Sequence, residues 1–406
     1  MLDACKRAIK SNPSNENLLY YRAITYGLMG NAEKAKESYK KTLEVSPNNV
    51  LALNNLAICY IKENNIEKAV ALCQRAIESD PQYPRSYYNL GYIYQDQGDL
   101  HRAIETFERG LSYDPKEIRA RNSIAKLYSR VEQPNKALEY LDQIITIDPE
   151  NGAAYYDKSI IYNRIEKYEE EIECLKRVVE LNSEAAEAWY NMAIAYEDLG
   201  EHQKAIDIYY KVVELSSEYT EKAWYNMGLL FFKKNEFENA IESFKKAVDI
   251  NPSYENALNN LAVTNYQLKN YEKALEYWNK VIKINKSHRR TLLNLASLYS
   301  KELKDLEKAI EIYKQILEST PQDLDIFFYL AEIYEELENF EAAIEYLKLI
   351  IEVDSNDIEC LFKIALNFIN LNQLSEAISY LKKVLSIDSN YEDAQELLTK
   401  LEKKKI

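Results

Sequence analysis

The chain has 406 residues, of which 47% are hydrophobic, and its formal net charge is −15 at pH 7. Nucleic-acid binding needs a basic surface that displaces counterions from phosphates, so we expect no nucleic-acid partner. The sequence has no leader-like segment and no apolar run of about 18 residues, so we expect no membrane contact and a cytoplasmic location.

The first predicted element is one helix within residues 1–15. Its pattern matches only the second half of the unit that repeats after it, so we interpret residues 1–15 as an N-terminal half-repeat. A solenoid usually begins with a polar cap. The half-repeat is therefore either that cap or part of a longer array.

Repeating units follow within residues 16–390, at a spacing of 34 or 35 residues. The eleven units begin at residues 16, 50, 84, 118, 152, 186, 221, 255, 289, 324 and 358. A fixed period of this length predicts a helical hairpin repeated along a solenoid, in which each hairpin packs on its neighbours. One-residue insertions near Tyr219 and near Lys304 are expected to fall in turns.

Two columns of small residues predict where the helices of each hairpin cross. The eighth position of every unit is Ala, Gly or Ser. A second column, here called the alanine column, contains Ala35, Ala69, Ala103, Ala137, Ala205, Ala240, Ala274, Ala309, Ala343 and Ala377, with Glu171 as the exception. Seven of the nine prolines recur just after the second helix, where they end the hairpin.

The fifth unit departs from two columns at once. It has Lys158 where most units have Leu, Ile or Met, and Glu171 in the alanine column. These columns should meet across the hairpin, so we predict an ion pair between the two side chains.

Two units carry the fullest motif. Tyr87-x2-Leu90-Gly91-x2-Tyr94 precedes Ala103-x3-Phe107 and Pro115, and Trp224-x2-Met227-Gly228-x2-Phe231 precedes Ala240-x3-Phe244 and Pro252. This motif resembles a tetratricopeptide repeat. The resemblance implies an all-α, right-handed superhelical solenoid of about eleven helix-turn-helix repeats with a half-unit at each end. It also implies that first helices line a concave groove and that the protein binds other proteins.

The last predicted element is a capping helix within residues 391–406. Leu397, Leu398 and Leu401 can cover the last hairpin, because their spacing places them on one helix face.

Residues that carry catalysis or bind metals do not form motifs in this sequence. The five cysteines include no CxxC pair, and the three histidines form no HExxH. There is also no phosphate-binding loop and no GxSxG. We therefore expect buried free thiols in a reducing compartment, and no catalytic residue, metal or cofactor.

The sixth position of each unit should face the groove, and six units have asparagine there. These are Asn55, Asn89, Asn191, Asn226, Asn260 and Asn294. An amide both donates and accepts, so such a row can hold an extended peptide backbone. The row resembles the asparagine ladder of O-linked N-acetylglucosamine transferases, although Ser123 and Asp157 interrupt it. The fifth position adds aromatic area suited to peptides, through Tyr88, Tyr156, Tyr190 and Tyr225.

Two charged zones are predicted in the same groove. The basic zone, near the fourth unit, contains Arg85, Arg119, Lys126, Arg130 and Arg164. The acidic zone, in the tenth unit, contains Asp325, Glu332, Glu335 and Glu336. They are either ordinary solvated faces or the two ends of a bipolar groove that orients a ligand.

The leading interpretation is a non-catalytic scaffold that binds an extended or helical polypeptide segment. Chaperone-binding members of the family use a fifth-position lysine to hold a carboxylate, and no unit here has one. A second interpretation is the substrate-recruiting arm of a longer enzyme, such as a glycosyltransferase. A third is self-association through an open N-terminal edge.

Overall fold

The computed structural model describes residues 2–404, with side chains described for residues 7–403. Within residues 2–404 the regular elements are 24 α-helices and one π-helical segment, with no strand, which confirms the predicted all-α solenoid. The helices are α1 Leu2–Ser11, α2 Glu16–Leu28, α3 Ala32–Val45, α4 Val50–Lys62, α5 Ile66–Ser79, α6 Pro84–Asp96, α7 Leu100–Tyr113, α8 Ile118–Arg130, α9 Pro134–Ile147, α10 Gly152–Arg164, α11 Tyr168–Leu181, α12 Ala186–Asp198, α13 His202–Glu214, α14 Thr220–Lys233, α15 Phe237–Ile250, α16 Glu255–Gln267, α17 Tyr271–Ile284, α18 Arg289–Ser297, α19 Leu306–Ser319, α20 Leu324–Glu336, α21 Phe340–Val353, α22 Ile358–Asn370, α23 Leu374–Ile387 and α24 Glu392–Lys404.

The described chain divides into two compact units. One ends at Leu215 and contains α1 to α13, and the other begins at Ser216 and contains α14 to α24. Within each unit, a helix packs mainly on the helix before it and the helix after it, as expected of a solenoid. The even-numbered helices α2 to α22 are the first helices of the hairpins, and the odd-numbered helices α3 to α23 are the second. None of the helices in residues 2–404 has the length and apolar character needed to cross a membrane.

Each hairpin turns at one residue in the left-handed region of the backbone. These residues are Gly30, Asn64, Gly98, Glu132, Glu166, Gly200, Asn235, Lys269, Lys304, Glu338 and Asn372. In the first turn the Gly30 N–H donates to the Gly27 carbonyl at 3.0 Å, and the Asn31 N–H donates to the Tyr26 carbonyl at 2.9 Å. This pair of bonds is a Schellman motif, which ends the first helix and reverses the chain.

The predicted close crossing of the two helices is confirmed by burial of both small columns. Two crossings have glycine at the eighth position. A Cβ added at Gly91 would lie 2.7 Å from the Phe107 ring, and one added at Gly228 would lie 2.5 Å from the Phe244 ring. An alanine at either position would therefore overlap the phenylalanine ring unless that ring moves.

The predicted ion pair between Lys158 and Glu171 is wrong. The Lys158 ammonium instead contacts the Asp142 carboxylate on α9 at 2.5 Å, and Glu171 accepts a hydrogen bond from the Asn163 amide at 3.1 Å. The lysine side chain extends toward the second helix of the preceding repeat, whereas the glutamate lies beside its own first helix. The seventh-position column and the alanine column meet through their backbones and short side chains. The long side chains of Lys158 and Glu171 extend away from that crossing in different directions.

The insertion near Lys304 does not fall in the turn, contrary to the prediction. It is absorbed by the π-helical segment Leu298–Glu302 at the end of α18, where the Leu303 N–H donates to the Leu298 carbonyl at 3.0 Å. A π turn accepts one extra residue while keeping backbone groups bonded. The left-handed turn residue, Lys304, is thereby preserved. The insertion near Tyr219 does lie in a loop, between α13 and α14.

A helix lies at each end of the described residues. Helix α24 buries Ala394 and Leu401 and packs Leu397 and Leu398 on the core of the last hairpin. At the other end α1 precedes α2 and packs on it.

We predict that Gly228→Ala lowers the free energy of unfolding by about 1 to 3 kcal/mol, because the new methyl overlaps the buried Phe244 ring. The same change should be much less harmful in a Phe244→Leu background, since leucine faces alanine at this crossing in other repeats, such as Leu381 with Ala365. Urea unfolding of both backgrounds, read as local transitions if the array is not two-state, measures this. Equal losses in the two backgrounds would contradict the steric explanation.

Candidate functional site

Side-chain hydrogen bonds join consecutive first helices in both units. In each bond the amide of a sixth-position asparagine donates to the side-chain oxygen of the fifth-position residue one repeat earlier. The pairs are Asn55 with Tyr20 (3.0 Å), Asn89 with Asn54 (2.9 Å), Asn191 with Tyr156 (3.0 Å), Asn260 with Tyr225 (3.1 Å) and Asn294 with Asn259 (3.3 Å). We call this set of bonds the asparagine row.

The asparagine row changes the role of the predicted amides. One N–H of each amide binds the protein itself, which leaves its second N–H and its carbonyl oxygen as groups that a ligand could use. Asn260 differs, because its carbonyl also accepts from the Asn259 amide at 3.5 Å. The sequence carried a signal for these bonds, because Tyr or Asn stands 35 residues before each bonded asparagine. Asn226 occupies the same position of α14 and is half-buried.

The four fifth-position tyrosines do not share one environment. Tyr156 and Tyr225 are half-buried and accept the bonds of the asparagine row. The Tyr190 ring lies 5.8 Å from the Tyr209 ring, measured between centroids. Tyr88 does not face the groove as predicted, because it is only 8% exposed and packs in the core beside Gly110. Its hydroxyl donates to the Asp114 carbonyl at 3.4 Å. Its large ring fits there because glycine at position 110 leaves the space.

Three of the five predicted basic residues come together. Lys126, Arg130 and Arg164 line a cavity of about 240 Å³ between α8 and α10. The Lys126 ammonium lies 3.8 Å from the Asp157 carboxylate, and burial raises the pKa of Asp157. Arg85 and Arg119 are exposed at the starts of α6 and α8 and do not line this cavity.

The predicted acidic residues all have cationic neighbours. Lys363 lies 3.7 Å from Glu332 and 3.0 Å from Glu335, and Lys304 lies 3.2 Å from Glu336. Arg289 lies 4.0 Å from Asp325. The acidic zone predicted from the tenth unit did not include these cations, because they belong to the units before and after it.

Cavities recur at equivalent places between consecutive first helices, and we call them seam cavities. The cavity lined by Lys126, Arg130 and Arg164 lies in the seam between the fourth and fifth repeats, and we call it the basic seam cavity. The next seam, between α10 and α12, has a cavity of about 210 Å³ lined by Ser159, Ile160, Asn163, Glu171, Asn191 and Ile194. The seam between the ninth and tenth repeats has a cavity of about 330 Å³, into which the π-helical segment contributes Ser300 and Lys301. Within each compact unit, the asparagine row and the seam cavities form what we call the first-helix face.

Groups that could catalyse or bind metal are scattered in the described residues. No cluster of three His, Cys, Asp or Glu side chains there could hold a metal ion. Burial raises the pKa of the Cys73 thiol to about 12 and that of Cys174 to about 11, which disfavours the reactive thiolate. The side chain of Cys5 lies outside the described residues. His288 accepts a hydrogen bond from the Thr291 N–H at 3.3 Å and so caps α18.

Family models for the tetratricopeptide repeat match almost the whole chain. The matched residues are 4–37, 28–91, 62–127, 118–151, 152–184, 186–219, 221–254, 253–322, 300–361 and 358–391. A search of the curated proteins finds none that matches this chain.

Several solved structures are similar to this chain. The C-terminal part of a TPR repeat-containing protein from Cytophaga hutchinsonii has a TM-score of 0.54 and 17% identity, over 60% of this chain and 99% of that chain. The MamA protein is 26% identical with a TM-score of 0.39, over 47% of this chain and 97% of its own. YrrB, described as a TPR protein with an unusual peptide-binding site, is 25% identical with a TM-score of 0.40, over 46% of this chain and 95% of its own. The first shares the fold, and the other two superpose too loosely to support an argument about this chain.

Glu171 should make the stability of its repeat depend on pH. Burial and the nearby Asp198 raise the pKa of its carboxyl from 4.5 to about 7 in the folded protein. The unfolded chain therefore releases this proton first, and the wild type loses stability as the pH rises from about 4.5 to about 7. We predict that Glu171→Gln does not lose stability over this pH range. Above pH 7 its free energy of unfolding should exceed that of the wild type by up to about 3 kcal/mol.

Urea unfolding at a series of pH values measures this difference. Glu169→Gln is the matched control, because Glu169 is exposed on the same helix. If the free energy of unfolding changes with pH in the same way in the wild type and in Glu171→Gln, the pKa of the Glu171 carboxyl is not raised.

Proposed function

Because the chain belongs to the tetratricopeptide repeat family, we propose that it is a non-catalytic scaffold that binds an extended or helical polypeptide segment along its first-helix face. Members of this family bind proteins or peptides. The observation that carries the proposal is the juxtaposition of the asparagine row with seam cavities. Such a surface offers carbonyl acceptors for a backbone and recesses for side chains.

Apolar side chains on the first helices support this proposal. Tyr21 and Tyr329 occupy the sixth position in units without asparagine there, and both are among the exposed large hydrophobic residues. Ile160, at the ninth position of α10, is 38% exposed and lines two seam cavities. Aromatic and aliphatic area beside polar groups is characteristic of surfaces that bind polypeptides.

Charge supports an acidic group in the ligand. Lys126, Arg130 and Arg164 meet at one cavity and face a single carboxylate, Asp157, so the cavity has an excess of positive charge. In the tenth repeat, by contrast, the acids have cations beside them. We therefore propose the basic seam cavity as the stronger electrostatic determinant, which would bind an Asp, a Glu or a terminal carboxylate of the polypeptide.

The test starts from peptides selected on the wild-type chain from a random dodecapeptide phage library. We predict that the selected peptides contain acidic residues. The triple variant Lys126→Ala, Arg130→Ala, Arg164→Ala should bind them about tenfold more weakly or worse, equivalent to about 1.4 kcal/mol. The loss should shrink as salt is added, because salt screens exposed charges. Isothermal titration calorimetry at low and high salt measures both effects.

A second triple variant provides the matched control. Lys176→Ala, Lys245→Ala, Lys283→Ala removes the same charge from exposed positions on second helices. It should bind the selected peptides within about twofold of the wild type, because simple exposed charges contribute little. If both triple variants lose the same affinity for the selected peptides, the basic seam cavity is not the electrostatic determinant. If no peptide can be selected, the result counts against the scaffold function itself.

A further inference from the structure

Glu171 is the one residue that breaks the alanine column, and it remains buried there. Its side chain is only 3% exposed, at a crossing where the other ten hairpins place a methyl group. Across the crossing lies Ser159, which is also buried. A buried carboxyl group is costly unless it is hydrogen-bonded or paired with a cation. The surroundings of this carboxyl therefore indicate what it can bind.

The carboxyl has one polar partner and no cation recorded among residues 7–403. Asn163 on α10 donates to it at 3.1 Å. Asp198, at the end of α12, is negative and disfavours its ionisation. Lys158, on the same helix as Asn163, lies against Asp142 instead. The elements packed around Glu171 thus supply a hydrogen bond and a repulsive charge, but no counterion.

Beside this carboxyl lies the seam cavity between α10 and α12. Ser159 and Glu171 are its buried members, and Ile160, Asn163, Asn191 and Ile194 lie closer to solvent. Its volume of about 210 Å³ far exceeds the roughly 10 to 15 Å³ that one water molecule needs. Two isoleucines and a terminal carboxyl suit a side chain with an aliphatic stem and a cationic head.

We propose that this cavity binds the lysine or arginine side chain of a polypeptide, with its cation paired to Glu171. The proposal rests on the proposed scaffold function and specifies one of its subsites. The adjacent seam, lined by Lys126, Arg130 and Arg164, has the opposite charge. A ligand that fills both seams therefore carries an acidic and a basic side chain at neighbouring contact points.

The cationic site can be tested without any polypeptide ligand. The probe is n-butylammonium chloride, added to protein whose glutamate carboxyl carbons are labelled with ¹³C. The Glu171 resonance is identified by its loss in Glu171→Gln. We expect a saturable response in which the apparent pKa of Glu171 falls by about one unit or more, as an adjacent opposite charge dictates.

The controls separate ion pairing from other effects. Sodium chloride at equal ionic strength accounts for screening, and n-butanol accounts for occupation of the cavity by an alkyl chain. The exposed Glu169 carboxyl reports non-specific pairing on the same helix. A Glu171 response to n-butylammonium no larger than its response to sodium chloride overturns the proposal.

A second measurement uses peptides selected on the wild-type chain from the random library. We expect Lys or Arg at a fixed place in these peptides. Binding should weaken about tenfold in Glu171→Gln and by the same factor when the peptide lysine is replaced by norleucine, with no further loss when both changes are combined. Glu169→Gln should leave the affinity unchanged.

The two measurements distinguish failure of the subsite from failure of the scaffold function. A n-butylammonium response without any selected peptide supports the cationic site and counts against the scaffold. Peptides that bind Glu171→Gln as tightly as the wild type, with no n-butylammonium response, overturn the cationic site and leave the scaffold standing.

Discussion

The first-helix face depends on the hydrogen bond between a sixth-position asparagine and the fifth-position side chain one repeat earlier. In a solenoid each repeat packs only on its neighbours, so at the five junctions that have it this bond helps to fix how one first helix lies against the next. One such bond contributes only about 0.5 to 1.5 kcal/mol. The bond recurs in both units, from Asn55 with Tyr20 to Asn294 with Asn259. Its main effect is therefore to set the register between consecutive first helices, and its contribution to stability is secondary.

The asparagine row and the seam cavities have different roles in the proposed binding of a polypeptide. Each asparagine amide already donates one N–H to the protein, and its remaining polar groups suit a peptide backbone, which is the same in every sequence. The seam cavities differ from each other: one gathers Lys126, Arg130 and Arg164, and the next contains the buried Glu171. Under the proposed function, the cavities therefore provide selectivity for a polypeptide, and the asparagine row provides general affinity for an extended chain.

The sequence predicted the helices well because the repeat pattern is local and is written in every unit. Backbone crossings followed for the same reason, since only Ala, Gly or Ser fits at the eighth position. Long side chains were harder to predict. Register gives the helix face on which Lys158 or Glu335 begins, but each then contacts a partner from another repeat, Asp142 or Lys363. The π-helical segment was missed because an insertion in a turn and one in a helix end look alike in sequence.

The most direct test of the account is a double-mutant cycle on Asn260 and Tyr225, whose side chains are joined at 3.1 Å. Tyr225→Phe removes the acceptor and keeps the ring, and Asn260→Ala removes the donor. Urea unfolding should give a coupling free energy of about 0.5 to 1.5 kcal/mol between them. Tyr271→Phe, whose hydroxyl donates to Glu302 instead, should show no coupling to Asn260→Ala. Strictly additive effects of Tyr225→Phe and Asn260→Ala would contradict the claim that this bond holds the first-helix face together.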